Sequence, residues 1–172
     1  MALGKDYLGQ DCSLSRALEL LGERWTLLVV QNALYGVRRF NDFQVRLDIP
    51  KAVLSDRLVR LTEGGVLEKR QYQASPPRFE YLLTDAGVEL WPVVYALSVW
   101  SHRHIGGEPP RLFRHADCRT KLLPTGDCPE CGPVAAGDVE MYPGPGPKRD
   151  DPVSRAMNRP RRLLEPVVPE PA

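Results

Sequence analysis

Residues 39–65 read RFNDFQVRLDIPKAVLSDRLVRLTEGG and contain two helical patterns that are separated by a short break. Apolar residues recur at helical spacing in both patterns: Phe40, Phe43 and Leu47 in the first, and Leu54, Leu58 and Leu61 in the second. Pro50 suits the first turn of the second helix, because its missing N–H needs no partner there. The segment therefore predicts helix, tight turn, helix, with the second helix running from Lys51 to about Glu63.

The next residues, 66–83, favour a β-hairpin. The runs VLEKRQY and RFEYLL each alternate partially between apolar and polar residues, and the loop QASPP separates them. Thr84 then begins a long helical pattern that ends near His104, and Pro92 inside it predicts a kink about one turn upstream. A hairpin directly after a helix-turn-helix is a wing.

Composition limits the class of protein. The chain has 172 residues, 42% of them apolar and 26% charged, with a net charge of +1. This is ordinary for a globular protein and gives no global basic field. We find no signal-peptide pattern, and the longest apolar run, WTLLVV, is too short to span a bilayer, so a cytoplasmic location is expected. Four cysteines are then expected to be reduced, metal-bound or redox-active rather than disulfide-bonded.

The chain divides into four regions, of which the last three differ in composition. Residues 1–10 form an N-terminal arm, and residues 11–105 form the winged helix-turn-helix with a dimerisation helix. Residues 106–142 form a ribbon-like module rich in Cys and His. Residues 143–172 hold eight of the 17 prolines, and we predict a disordered tail because so few apolar residues cannot offset the ordering entropy.

The order of several motifs resembles a known family. LGERWTLLV, RRFNDF, VLSDRLVRL, GVLEKR and PPRFEYLLTDAG occur in sequence over residues 11–104. This region resembles the HxlR-type winged helix-turn-helix transcriptional regulators, which are relatives of the MarR regulators. The resemblance implies a mainly α fold with a small β-hairpin wing (α+β), dimerisation through terminal helices, and a homodimeric DNA-binding regulator without enzymatic activity.

Helix geometry selects the residues that could reach DNA. With the leucines inward, Ala52, Ser55, Asp56 and Val59 turn outward in a helix that would enter the major groove. The wing would lie on the backbone or in the minor groove. Between residues 38 and 78 there are nine Lys or Arg against five Asp or Glu, a local excess that suits phosphates. The predicted DNA-contacting residues are Arg38, Arg39, Lys51, Ala52, Ser55, Asp56, Val59, Arg60, Lys69, Arg70, Gln71, Tyr72 and Arg78.

The helix after the wing is apolar on two faces, so it needs two partners. One partner is its own domain, and the other is most simply a second subunit. The residues predicted at the dimer interface are Leu14, Leu18, Leu21, Trp91, Tyr95 and Val99. A two-fold dimer predicts a pseudo-palindromic operator with half-sites about one helical turn apart.

The cysteines suggest two kinds of chemistry. His115, Cys118, Cys128 and Cys131 have the spacing H-x2-C-x9-C-x2-C, which fits a structural zinc site. The alternative is a vestigial ribbon that folds without metal, with or without a disulfide. Cys12 begins the first helix, where the helix N-terminus favours a thiolate. The family resemblance implies redox sensing as a role, because some similar regulators sense oxidants or electrophiles through a cysteine near this position. Its alternative role is a small apolar residue at the dimer seam.

Two classes of function remain open at this point. The favoured one is a transcriptional regulator that binds operator DNA as a homodimer and responds to a redox signal or to an effector that the sequence does not identify. The alternative is a protein-interaction adaptor that uses the winged helix and the zinc ribbon without sequence-specific DNA binding. The sequence contains no evident nucleophile–base set or phosphate-binding glycine loop, so we do not expect an enzyme.

Overall fold

A central apolar helix organises the N-terminal half of the chain. The computed structural model describes residue 7 and residues 9–169. Helix α1 spans Ser13–Leu21 and helix α2 spans Thr26–Leu34. The sequence of α2, TLLVVQNAL, is apolar around most of its circumference, and Val29, Val30 and Leu34 are fully buried. Helix α2 therefore lies in the middle of the core and contacts α3, α4 and α6.

The predicted helix-turn-helix is present. Helix α3 spans Phe40–Leu47 and helix α4 spans Lys51–Glu63. Asp48 ends α3 in the left-handed conformation with φ of 54°, and this allows the sharp turn between the helices. The leucine stripe of α4 is fully buried: Leu54, Leu58 and Leu61. The opposite face of α4 is consequently turned to solvent.

The wing follows directly after α4. Strand β1, Leu67–Gln73, pairs antiparallel with strand β2, Arg78–Leu83. A bridge between Arg39 and Glu80 adds a third short segment to this sheet, and the Tyr81 N–H donates to the Arg38 carbonyl over 2.7 Å. The start of α3 is thereby fixed to the base of the wing.

The helical region after the wing is divided into two helices. Helix α5 spans Asp85–Val88, and helix α6 spans Trp91–His104. Thr84 caps α5, with its hydroxyl oxygen accepting from the Gly87 N–H over 3.1 Å. The prediction of one kinked helix is wrong, because Pro92 lies in the first turn of α6, where no helical hydrogen bond is lost. None of the helices that the structure describes combines the length and apolar character needed to cross a membrane.

The region from residue 106 to residue 169, which we call the C-terminal module, is centred on a small sheet. Strand β3 is Arg111–His115, strand β4 is Val139–Pro143 and strand β5 is Arg161–Arg162. They pair antiparallel in the order β3-β4-β5. A 3-10 turn at Ala136–Asp138 leads into β4.

The prediction of a disordered tail is wrong for residues 143–169. This segment contains helix α7, Pro152–Ala156, and strand β5. Four of its apolar residues are buried: Val153, Met157, Leu163 and Val167. They do not need a core of their own, because they pack on the surface that α2, α3 and the small sheet already provide. The predicted arm at residues 1–10 and the last residues of the tail lie largely or wholly outside the described residues.

The tail is hydrogen-bonded to the end of α2. The Leu164 N–H donates to the Leu34 carbonyl, and the Val167 N–H donates to the Gly36 carbonyl, each over 2.8 Å. Gly36 has φ of 91°, and a Cβ there would overlap the Glu165 carbonyl oxygen. Glycine is therefore required both by the backbone conformation and by the close approach of the tail.

An aromatic cluster joins the C-terminal module to the winged helix. Phe113 of β3 is 8% exposed and lies among three rings. Its ring centroid is 6.1 Å from that of Tyr35, 5.1 Å from that of Trp91 and 5.5 Å from that of Tyr95. The edge-on geometry of Phe113 against Trp91 and Tyr95 is favourable for aromatic pairs. The module is thus packed against the winged helix through its first strand.

Candidate nucleic-acid interface

The outer face of α4 is a continuous solvent-exposed surface. Because the leucines point inward, a stripe of mixed character faces outward from one end of the helix to the other. Its exposed residues are Lys51, Ala52, Ser55, Asp56, Val59 and Arg60. This set can offer hydroxyl and carboxylate groups to base edges and methyl groups to thymine. The helix faces predicted from the sequence agree with these exposures.

Asp56 is paired within the protein. It accepts from Arg57 over 2.9 Å, and Arg57 also donates to Glu23 over 3.1 Å. The Arg57 side chain is mostly buried, and both of these contacts are ion pairs. Arg60 lies 3.8 Å from Glu23 and stays half exposed. The cationic end of α4 is therefore partly neutralised by Glu23.

The wing carries exposed cations beside this helix face. Lys69 lies 4.3 Å above the Phe79 ring, and Arg70 pairs with Glu80 over 2.8 Å. Gln71 donates to the Gln73 carbonyl over 3.0 Å. Arg78 at the start of β2 is exposed. These contacts hold the side chains along the strands, and Lys69 and Arg78 keep their charges accessible to an anion.

Arg38 and Arg39 have different surroundings. Arg39 is exposed, and its guanidinium lies 4.7 Å above the Tyr72 ring. Arg38 is half buried and donates to the Leu164 carbonyl of the tail over 3.1 Å. The exposure of Arg39 is compatible with the predicted DNA contact, whereas the described contact of Arg38 attaches the tail.

The predicted dimer surface needs a correction on α6. Trp91 is 3% exposed and Tyr95 is also buried, both against Phe113, while Val99 is half buried. The C-terminal module covers this face, so a second subunit has little left to bury on it. The uncovered apolar side of α6 carries Val93, Leu97 and Trp100, with Trp100 55% exposed. On α1, Leu14 and Leu18 are exposed, and Leu21 is half buried.

Four predicted metal ligands come together in the C-terminal module. The ligand atoms of His115, Cys118, Cys128 and Cys131 all lie within 4.8 Å of one another. Cys118 Sγ is 3.3 Å from His115 Nδ1 and 3.4 Å from Cys128 Sγ. Tetrahedral zinc with bonds of about 2.3 Å places its sulfur ligands about 3.8 Å apart, so this donor set fits a closed zinc site.

Two turns of similar geometry present these ligands. In one, the Arg119 N–H donates to the His115 carbonyl over 3.0 Å, and Arg119 has φ of 65°. In the other, the Gly132 N–H donates to the Cys128 carbonyl over 2.9 Å, and Gly132 has φ of 82°. Each left-handed residue directly follows a cysteine, so each turn directs two ligands to one centre.

The protonation of the thiols is linked within this cluster. Hydrogen bonds with Thr120 lower the pKa of the Cys118 thiol to about 6. A hydrogen bond with Cys118 raises the pKa of Cys131 to about 11. One thiol therefore loses its proton readily, and the resulting thiolate disfavours deprotonation of the next thiol. A divalent cation bound between them would remove that repulsion.

Cys12 is not part of this cluster, because it lies far earlier in the chain, at the start of α1. It occupies the N-cap position of α1 and is exposed. Its carbonyl accepts from the Ser15 hydroxyl over 2.6 Å. An exposed thiol at a helix N-terminus can be reached by an oxidant, in keeping with the predicted redox role.

Two arginines that line a cleft were not identified from sequence patterns. Arg46 of α3 and Arg111 of β3 both line a cleft beside Tyr35. These residues are distant in the chain, and each looks like an ordinary surface arginine in its own segment. Only the docking of β3 against α2 and α6 brings them together, so no local spacing could have predicted them.

Comparison with known proteins gives consistent matches. The profile of the HxlR-like helix-turn-helix family matches residues 20–108. The uncharacterized HTH-type transcriptional regulator Rv3095 of Mycobacterium tuberculosis is 41% identical over 137 residues, covering 78% of this chain and 87% of that protein. YdeP of Bacillus subtilis, also an uncharacterized HTH-type transcriptional regulator, is 30% identical over 59% of this chain and 83% of its own length.

Solved structures agree with this assignment. PA1607, described as a transcription factor, superposes with a TM-score of 0.61 and 30% identity, covering 74% of this chain and 92% of that one. The redox regulator HypR in its oxidized form has a TM-score of 0.50 and 27% identity, covering 54% of this chain and 97% of that one. The family profile matches more than half of the sequence, and the fold is a winged helix. The chain therefore belongs to the HxlR-like helix-turn-helix family and is a transcriptional regulator of the winged-helix type.

Proposed function

We propose that the protein binds a pseudo-palindromic operator as a homodimer, with α4 in the major groove and the β1–β2 wing on the backbone or in the minor groove. The observation that carries this proposal is the exposed outer face of α4 beside the exposed cations of the wing. A buried leucine stripe fixes the helix, and the opposite face is left free for base edges.

Phosphate contacts would come from residues around that helix. Arg39, Lys69 and Arg78 are exposed and lie at the base, side and end of the wing. Lys51 lies at the start of α4, where the helix N-terminus itself favours an anion. Such contacts would position α4 on the duplex, and Ser55 and Val59 would contact the bases.

The dimer would form through the uncovered apolar surface of α1 and α6. Leu14, Leu18, Val93, Leu97 and Trp100 are exposed. Large apolar side chains on one surface usually mark an interface. A two-fold dimer through this surface would present two copies of α4 to successive major-groove turns, roughly 34 Å apart.

The test is fluorescence anisotropy with DNA from upstream of the protein's own gene. A scrambled duplex of equal length is the reference, and the salt concentration is varied from about 50 to 200 mM. We expect preference for the upstream duplex and a fall in affinity of about 10³-fold or more over that range, as for six or more phosphate contacts.

Two substitutions separate base contacts from phosphate contacts. Ser55→Ala should reduce the preference for the upstream duplex, whereas Lys69→Ala should weaken binding to both duplexes and reduce the salt slope by about one. Arg155→Ala on α7 is the matched control, because Arg155 is an exposed arginine whose one ion pair within residues 9–169 is with Asp150. Binding of a protein partner by the wing, with no DNA binding even at low salt, would support the adaptor instead.

We further propose that the cysteine cluster holds a structural zinc ion. The support is the closed set of three thiols and one imidazole, presented by two similar turns. Zinc would link β3 to the loop before β4, where the module has few apolar residues to hold it together. Mass spectrometry under native conditions should find one zinc per chain, and Cys128→Ser should lose it. A folded, metal-free protein after purification from zinc-containing medium would contradict this proposal.

Cys12 is proposed as the redox-responsive thiol. Its support is exposure at the N-terminus of α1, together with the likeness to HypR, which is described as a redox regulator. Hydrogen peroxide would transfer one oxygen to the thiolate, giving a sulfenic acid and hydroxide. A peroxide-dependent change in DNA affinity that persists in Cys12→Ser would exclude this role. The regulator would act in the cytoplasm as a non-enzymatic protein.

A further inference from the structure

A cleft of about 460 Å³ lies between α2, α6 and the segment that leads into β3. Its walls are mostly apolar and include Leu27 of α2, Val94 of α6 and Phe113 of β3. This volume suits a small organic molecule of one or two rings. The cleft exists because the C-terminal module closes one side of a surface that α2 and α6 form on the other.

Two arginines line one part of this cleft. Arg111 is 7% exposed, and its Nε atom is buried without a hydrogen-bond partner among the described residues. One terminal nitrogen of Arg111 donates to the Pro110 carbonyl over 3.1 Å. The Nε atom of Arg46 is likewise buried and unpartnered, and neither arginine forms an ion pair with a described residue.

Electrostatics make this arrangement costly without an anion. Burial, together with the positive charge of Arg46, lowers the pKa of Arg111. Burial also lowers the pKa of Arg46, although the charge of Asp151 opposes this, and Asp151 is itself shared with Arg149 at 3.5 Å. Arg111 is a buried cation without an ion pair among the described residues, and half-buried Arg46 adds a second positive charge beside it. A buried cation that lacks a partner destabilises a fold, so a site that retains this arrangement needs a functional reason.

The other polar groups at the cleft are compatible with an anion. Burial raises the pKa of Tyr35 to about 12, so its phenol is neutral at pH 7 and can donate a hydrogen bond. The imidazole of His102 contacts the Gly107 carbonyl over 2.6 Å. Glu108 is the one carboxylate among the lining residues and is exposed, so it can turn toward water.

We propose that this cleft binds a small organic carboxylate with an apolar body. The carboxylate would lie against Arg46 and Arg111, whose planar guanidinium groups match two carboxylate oxygens. The body would contact Leu27, Val94 and Phe113. An inorganic anion would leave the apolar walls uncovered, and a neutral hydrocarbon would leave both arginines unpaired, so an amphipathic anion fits the cleft best.

A ligand bound in the cleft would lie next to the surface proposed for the dimer. Leu97 of α6 lines the cleft and is also exposed at the surface proposed for the dimer. A ligand would therefore alter the packing beside that surface. This coupling rests on the proposed function, whereas binding of the carboxylate does not, and binding is measured without DNA.

The test compares 1-naphthoate, benzoate and decanoate with the neutral 1-naphthamide by isothermal titration calorimetry on the 172-residue chain as purified. At least one carboxylate should bind saturably, and 1-naphthoate should bind at least tenfold more tightly than 1-naphthamide. Inorganic phosphate should not compete. Equal binding of 1-naphthoate and 1-naphthamide, or no saturable binding by any of the three carboxylates, would overturn the proposal.

Substitutions then identify the anion site. Arg111→Met and Arg46→Met should each weaken carboxylate binding at least tenfold, while Arg155→Met, the control, should leave it unchanged. If the arginines serve a ligand, thermal unfolding of the ligand-free Arg111→Met variant should occur at the same or a higher temperature than in the parent. A lower melting temperature with unchanged carboxylate affinity would show that Arg111 is structural.

Discussion

Replacing Phe113 with alanine should destabilise the whole C-terminal half of the protein. The ring is 8% exposed and lies within 6.1 Å, centroid to centroid, of three other aromatic rings. Truncation of a buried phenylalanine costs about 3–5 kcal/mol in free energy of unfolding. With an m-value of about 2 kcal/mol/M, the urea midpoint should fall by roughly 2 M.

Urea unfolding followed by tryptophan fluorescence measures this change, because Trp91 is a direct neighbour of Phe113. Phe79→Ala is the matched control, since the same truncation is made at a wing ring that is 37% exposed. The control should cost less than about 1 kcal/mol. If both variants lose the same small amount, the aromatic cluster does not hold the module to the winged helix, and our account of the correction on α6 fails.

Three other perturbations test separate features. Gly36→Ala should destabilise the protein by about 2 kcal/mol or more, measured by thermal unfolding, because its Cβ would meet the Glu165 carbonyl oxygen at an unfavourable φ. Trp100→Glu should convert the proposed dimer to a monomer in analytical ultracentrifugation, and a persisting dimer would move the interface away from α6. Burial raises the pKa of Asp151, but Ser154 and the nearby arginines outweigh this and lower it overall. The stability that Asp151 contributes relative to Asp151→Asn should thus be full above about pH 4 and be lost as the pH falls through the lowered value.

Features that are formed by residues close together in the chain could be predicted from local sequence patterns. The leucines of α4 recur at helical spacing, and that spacing alone gave both the buried stripe and the exposed face. The four metal ligands could be proposed because two short turns supply them, so long-range folding had little to add beyond bringing the turns together. The hairpin was similarly predictable from its alternating residues and its proline-containing loop.

Two of the errors concern contacts between distant segments, whereas the error at Pro92 is local. The sequence alone identifies Trp91 and Tyr95 as apolar residues on one face of the helix. Whether that face contacts the C-terminal module or a second subunit depends on the packing of Phe113, which is distant in the chain. Proline content suggested a disordered tail, yet Met157 and Val167 are buried because they complete a surface built by other elements. Composition measures what a segment can bury by itself, and this segment does not fold by itself.

The backbone pairing of Leu164 with Leu34 also has a kinetic consequence. It joins two residues that are 130 positions apart, and the chain between them includes the wing, α6 and the metal cluster. Closing so long a loop is favourable only after the intervening elements have formed. The tail should therefore dock last during folding, and a chain that ends before it would leave the end of α2 uncovered, with its apolar surface open to aggregation.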